Sequence, residues 1–382
     1  MDKAEKQKLI KARRLFPVTG KSLYLNHAAV SPYSRRVEKA MRDFISARTF
    51  SRNVDLYPSI LEAVEDTRKN IAALVGANPD SIAIVKNTTE GLNILAESLP
   101  WKKGDRIILF QREFPANVYP FINLERLGVQ IDFIPERQNR FFLEDVEKAI
   151  TPETRLLSVS HVEFLSGFRH NLSALGELLR ERGIIFCVDA IQSAGNTPID
   201  VEAMKIDYIS AGGQKWLMGP KGTGFIYVSP DLLPRLEPVF AGWLGVCNAW
   251  DFFNYRIEWL PSARRFEGGT QNFLGCFGLR ESTGLLLETG IKTIASQIEC
   301  ITGFLIRGLM DQGLEVITSS DPQDRAGIVT FCIPEAQSVF EKLEKKNVFI
   351  ALRDGKLRVS PHFYNTLDDM EKFLILLDES RQ

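Results

Sequence analysis

A lysine, an aspartate and a hydroxyl-rich turn, each at the end of an apolar run, are the residues of this 382-residue chain best suited to chemistry. Lys215 stands in Gly212-Gly213-Gln214-Lys215-Trp216, with Gly219-Pro220 close behind, so glycine-rich bends and a bulky aromatic flank the amine. Desolvation beside Trp216 lowers the proton affinity of such an amine and leaves it nucleophilic near neutral pH. Asp189 follows the apolar run 184–188, and Gln192 comes one turn later. Lys86-Asn87-Thr88-Thr89-Glu90-Gly91 carries a strand end into a helix whose unpaired N–H groups and dipole attract a phosphate. Taken singly, each has a plain reading: Thr88 as a helix N-cap, Asp189 as a capping carboxylate beside a solvated Gln192, Lys215 as a surface charge.

Taken together they match one cofactor. A phosphate cradle, a lysine amine and a carboxylate that keeps a pyridine nitrogen protonated are what pyridoxal 5′-phosphate (PLP) requires. Other chemistries lack their residues. There is no GxSxG nucleophile turn, no GxxxxGK[ST] and no GxGxxG opening a helix after an early strand. The histidines His27, His161, His170 and His362 form no HExxH, and no PCxxC follows the His161-Val162-Glu163 triplet, so no metal site is expected.

The elements that position these groups follow from periodicity. Short runs rich in Ile, Val, Leu and Phe at 81–86, 106–110, 130–135, 155–160, 184–189, 208–210 and 224–228 read as strands. Helical spacing between them, such as Leu92, Leu95, Ala96 and Leu99, predicts βαβ units and a mostly parallel sheet, which binds ligands at the carboxyl ends of its strands. From about residue 285 the texture changes to a long helix (289–311), strands near 326–334 and 357–360, and helices at 335–346 and 368–379. The expected division is a large domain over residues 16–284 and a smaller α+β domain from 1–15 and 285–382. Residues 231–268, rich in Pro, Trp and Phe, read as loops lining a cleft or a subunit contact.

Apolar residues at 45% and charged residues at 25% are the proportions of an ordinary globular protein, and a net charge of -1 offers no basic field for nucleic acid or a membrane surface. Cys187, Cys247, Cys276, Cys300 and Cys332 are widely spaced without a CxxC pair, which suits a reducing cytoplasm. The N-terminus mixes charges of both signs without an apolar leader, and no apolar run nears the ~20 residues of a membrane span, so a cytoplasmic protein is expected.

In order and spacing, YLNHAAVSP, KNTTEGLN, EFPANVYPF, SHVEFLSGFRHNL, VDAIQSAG, SAGGQKWLMGPKGTGFIYV, RRFEGGTQN and LRVSPHFYNT resemble the class V aminotransferases. These are fold-type I PLP-dependent enzymes that include cysteine desulfurases, kynureninases and isopenicillin N epimerase-like proteins. The resemblance implies an α/β fold, with a mostly parallel mixed sheet in an α/β/α sandwich and a smaller α+β domain. It assigns Lys215 to the Schiff base, Asp189 to the pyridinium, Gln192 to the phenolic oxygen, and Thr88, Thr89 and Gln214 to the phosphate. Phe114 takes the place of the ring over the pyridine face. Thr270 matches a threonine that reaches the neighbouring subunit's phosphate, implying a homodimer. Arg358 matches the substrate-carboxylate arginine, and His27 lies in a segment bordering the substrate, where a purely structural role is equally open.

Three departures stand out. Gly212-Gly213-Gln214-Lys215 replaces the Ser-Gly-His-Lys of many desulfurases, removing a phosphate hydroxyl. Phe164 occupies the position of an Asn that touches the cofactor's phenolic oxygen. The segment 347–358 holds no cysteine, where a desulfurase needs a sulfur-accepting thiol. The expected activity is therefore transamination of an α-amino acid through Lys215. A cysteine C–S lyase or desulfurase-like reaction and amino-acid epimerisation are the alternatives, with an idle PLP-binding protein behind them. Substrate specificity is expected from the loops 240–260 and 347–356.

Overall fold

The structure, a computed structural model, describes residues 2–52 and 56–381. Its strands are β1 (Leu23–Tyr24), β2 (Ile82–Val85), β3 (Arg106–Phe110), β4 (Gln130–Ile134), β5 (Thr154–Ser160), β6 (Ile185–Asp189), β7 (Tyr208–Gly212), β8 (Gly224–Val228), β9 (Val329–Phe331), β10 (Val348–Phe349), β11 (Ala351–Arg353) and β12 (Lys356–Val359). Its helices are α1 (Lys3–Arg13), α2 (Arg35–Phe50), α3 (Tyr57–Val75), α4 (Thr88–Ser98), α5 (Tyr119–Ile122), α6 (Leu143–Ala149), α7 (Leu172–Arg182), α8 (Phe273–Thr289), α9 (Ile291–Asp311), α10 (Ala336–Lys345) and α11 (Leu367–Arg381).

All seven strands expected between residues 81 and 228 form, within two residues at their ends, and make one sheet in the order β2-β8-β7-β6-β5-β3-β4. β3 through β7 run parallel, while β8 is antiparallel to both neighbours. Away from the edge strand β4, both faces are covered, which is why strands such as β2, β3, β6 and β8 read as apolar runs rather than as alternation. Ile84, Phe110, Val159, Val188 and Phe225 pack with α3, α7 and α8 on one side. Val85, Leu109, Cys187 and Ile226 pack with α4 and α5 on the other.

Gly91 lets α4 lie against this sheet, because a Cβ there would fall 2.2 Å from Ser210 Oγ and 2.6 Å from Ile226 Cγ2. Ser210 Oγ and the Tyr208 hydroxyl donate to the carbonyls of Thr88 and Gly91 at 2.9 and 2.6 Å, fixing the height of the helix start.

Beyond α8 a three-stranded antiparallel sheet, β11-β12-β9, packs with α9, α10 and α11 around Ile301, Phe331, Val359 and Phe373. The helix expected at 289–311 begins at Ile291, since Gly290 (φ 92°) ends α8 and turns the chain. β1 pairs with β10, and α1 ties to the far end of the chain through Arg13 and Asp369 at 2.7 Å. Residues 231–268 are largely irregular, with Trp250, Phe252, Phe253 and Tyr255 exposed. Among the described residues no helix is long and apolar enough to cross a membrane.

Candidate active site

β6 ends on Asp189, which is 1% exposed. Its Oδ1 accepts from the Ile191 N–H at 2.9 Å, whereas Oδ2 is buried with no hydrogen-bond partner among the described residues. Burial pushes this carboxyl up to about 6, against the pull of the Lys215 charge. An unpaired buried carboxylate oxygen is costly and marks a place where a proton donor is to be supplied.

β7 delivers Lys215 from the next strand through the tight turn Gly213–Gly219, which closes by Gly219 N–H to the Gly213 carbonyl at 2.8 Å. Ser31 grips the same turn, its N–H and Oγ donating to the Gln214 and Lys215 carbonyls at 2.9 and 2.6 Å. Desolvation lowers the Lys215 amine to about 8; Asp189 opposes the shift, and Arg358 and Arg353 add to it. Its Nζ lies 5.6 Å from the centroid of the exposed Phe114 ring. Phe114 in turn meets Phe164 edge-on at 5.4 Å.

The N-cap of α4 is Asn87 rather than Thr88: its Oδ1 accepts from the Glu90 N–H at 2.9 Å. Thr88 is therefore released from capping. It is buried, accepts from the Gly212 N–H at 3.0 Å, and keeps its hydroxyl proton for an anion at the helix start. Thr89 is exposed on the same turn, and Gln214 is half-buried opposite.

Gln192 is buried, not solvated. Its Oε1 accepts from Trp216 Nε1 at 2.8 Å and its Nε2 donates to the Ala28 carbonyl at 3.1 Å, which leaves one amide hydrogen. Arg358, on β12, is 2% exposed; Nη1 donates to the Phe164 carbonyl at 2.6 Å, and Nε has no partner among the described residues. Burial, then Arg353, brings it down to about 10. His27 is fully engaged, Nδ1 donating to the Ser360 carbonyl at 2.8 Å and Nε2 facing the Tyr364 hydroxyl at 2.7 Å. Thr270 is exposed and borders a cavity with Lys86, Asn87, Gly222 and Asn272, apart from Lys215.

Two supports were not legible in the sequence. Glu113, immediately before Phe114, is buried and accepts from the Ser160 N–H (2.5 Å), Ser160 Oγ (2.6 Å) and Asn117 Nδ2 (3.0 Å), and burial raises it to about 7. An acid inside the apolar stretch EFPANVYPF was its only signal. Arg68, 1% exposed, pairs with Glu267 at 2.5 Å, and Glu267 accepts from the Ile84 N–H, clamping the turn that carries Thr270 onto β2.

PLP fits these residues. The depressed lysine, the orphaned Asp189 oxygen, the ring beside the amine and the open start of α4 each answer one part of the cofactor.

The family model for aminotransferase class-V matches residues 23–373. An uncharacterized aminotransferase of Bacillus subtilis (strain 168), YcbU, is 29% identical over 358 residues, covering 94% of each chain. A probable cysteine desulfurase of Pyrococcus abyssi (strain GE5 / Orsay) is 30% identical over 391 residues, covering 96% of each. Among solved structures, the apo cysteine desulfurase from Thermococcus onnurineus NA1 superposes with a TM-score of 0.89 at 27% identity, covering 97% of both chains.

Proposed function

The chain belongs to the class-V aminotransferase family and is a PLP-dependent enzyme, and from that premise we propose that it transaminates an α-amino acid with Lys215 as cofactor anchor and proton carrier. PLP, when bound, supplies the electron sink that loosens the bonds at the substrate Cα. Asp189 holds a proton at the pyridine nitrogen through its unpartnered Oδ2. The start of α4, with Thr88, Thr89 and Gln214, binds the phosphate. The remaining amide hydrogen of Gln192 would serve the phenolic oxygen, and Phe114 would cover the ring.

Arg358 binds the substrate α-carboxylate with the donors that Phe164 leaves free, a pairing strengthened by its burial. With the cofactor bound, the Lys215 amine would take the proton from the substrate Cα as general base and deliver it, as general acid, to the cofactor carbon that becomes the amine carbon. With both ring nitrogens engaged, His27 positions the Ser360–Tyr364 wall of the site rather than bonding the substrate itself. The exposed Thr270 serves the phosphate of a neighbouring copy, so the working form is a homodimer of chains divided at 16–284 and 1–15 with 285–382. The exposed aromatics of 231–268 support such a contact. Five free cysteines suit a cytoplasmic setting, and the near-zero net charge speaks against nucleic acid and membrane partners.

The observation that carries this reading is the Lys215 amine, lowered to about 8, beside the Phe114 ring and in the field of Asp189, whose Oδ2 is unpartnered. The second reading, C–S bond cleavage or a desulfurase-like reaction, rests on the desulfurase relatives. Persulfide relay is disfavoured, because β11 and β12 join by a two-residue turn without a thiol and Cys332 is half-buried with its proton affinity raised.

Absorption spectra of the PLP-loaded protein, taken with a panel of amino acids and no ketoacid, test the proposal. Conversion of the cofactor to its amine form with ketoacid release is expected for one donor. Return of the starting band with accumulating pyruvate, sulfide or inverted amino acid would assign a lyase or epimerase, and no spectral response to any amino acid would point to an idle binder.

A further inference from the structure

The β11–β12 hairpin is closed by Asp354-Gly355, both in the left-handed region (φ 50° and 69°), which fixes the pairs Ala351↔Arg358, Leu352↔Leu357 and Arg353↔Lys356. Residues opposite one another, and residues two apart on a strand, share a face. Arg358, Ala351, Arg353 and Lys356 therefore lie on one face, with Arg353 and Arg358 as a diagonal pair across the hairpin. That is the face from which Arg358 reaches Phe164.

The other charges of the hairpin are occupied. Lys356 pairs with Asp354 at 3.2 Å, and Asp354 also holds Arg112 at 3.0 Å, which in turn holds Glu136 at 3.0 Å. Arg353 is exposed, donates to the carbonyl of Leu352 at 2.9 Å, and has no ion pair among the described residues. Its charge acts on both Lys215 and Arg358, lowering the proton affinity of each. Lys356 on this face is already paired with Asp354, which leaves Arg353 and Arg358 as the hairpin cations without a carboxylate partner among the described residues, and the buried Asp189 is assigned to the cofactor. An α-carboxylate satisfies Arg358 and leaves Arg353 without a counter-ion.

We infer that Arg353 receives a second anionic group on the substrate side chain, so that this site selects amino acids bearing a distal carboxylate or an equivalent acid. The inference rests on the reading of Arg358 as the α-carboxylate ligand. A bidentate guanidinium–carboxylate pair made by an exposed arginine diagonal to a buried one is the geometry for such discrimination.

The test uses the PLP-loaded enzyme and two readouts. In the first, kcat/KM is measured for aspartate and glutamate against norvaline and glutamine. In the second, calorimetry compares the unreactive glutarate with butyrate. Wild type is expected to favour the doubly anionic member by about tenfold or more in both, the size of one charged hydrogen-bonded pair. Arg353→Gln is expected to collapse both ratios to within about twofold, and Arg353→Glu to reverse them. Equal ratios in wild type, or ratios that survive in both variants, overturn the inference. If no amino acid reacts while glutarate binding still depends on Arg353, the transamination reading fails and this one stands; if amino acids react without acidic preference, the reverse holds.

Discussion

The Lys215 amine lies 5.6 Å from the centre of the Phe114 ring, and the residue before Phe114 is fastened by three hydrogen bonds, two from Ser160 at the end of β5 and one from Asn117. The ring that would cover the cofactor is thereby held from behind, by the Glu113 carboxyl, and not by packing of its own exposed face.

Replacing Phe114 by Ala is expected to weaken PLP binding by about 2- to 12-fold, the equivalent of one aromatic stacking contact of ~0.5–1.5 kcal/mol. Absorbance titration of cofactor-free protein reads this directly. An unchanged dissociation constant would show that the ring holds nothing.

The lowered Lys215 sets a pH profile. In cofactor-free protein the rate of covalent PLP capture should climb about tenfold per pH unit and level off near pH 8, where the amine is already neutral. An ordinary surface lysine would carry the rise on past pH 10. Stopped-flow absorbance separates the two, and Lys215→Ala should show no covalent capture and no turnover.

Asp189 couples stability to pH with a definite sign. Its carboxyl, raised from 3.8 to about 6 by burial, binds more protons in the folded than in the unfolded cofactor-free protein between those values, so stability falls as pH rises across them. Asp189→Asn removes that cost. Its cofactor-free form should melt roughly 2–6 °C above wild type at pH 8 and show no advantage at pH 4. The same variant, loaded with PLP, should lose about a hundredfold or more in kcat. A variant equally stable at both pH values would contradict the assignment of a costly buried charge.

Shared sites predict complementation. Lys215→Ala and Thr270→Ala chains, refolded as a mixture, form hybrid dimers in which one site keeps both residues, so about a quarter of wild-type activity should appear where the Lys215→Ala chain alone has none. Activity no greater than the sum of the separate variants would place Thr270 outside the neighbouring site.

Strands such as β2, β3, β6 and β8 were legible because burial on both faces leaves an apolar run bounded by turns, whereas the edge strand β4 is only partly buried and was legible from Ile131, Phe133 and Ile134. Asp189 and Lys215 were legible because each sits at the end of such a run. What the residues did not disclose depends on partners far along the chain. Asn87 displaces Thr88 as the cap because Gly212, from β7, claims the Thr88 hydroxyl. Glu113 finds Ser160, and Arg68 finds Glu267, across gaps that no local period encodes. His27 carries the same sequence signal whether it binds substrate or braces Ser360 and Tyr364.

The pairing of β1 with β10 bears on how the protein is made. Leu23 meets Val348 and Asn26 meets Ser360, so the strand entering the His27 segment has no partner until more than three hundred further residues have been synthesised. At ~5–20 residues per second that is a wait of roughly 15–65 s. The central sheet can form on the ribosome while this edge, with its apolar Leu23 and Leu25, stays open to chaperones and proteases. The wall made by His27, Ser360 and Tyr364 can then close only after the residues around 348–364 have emerged.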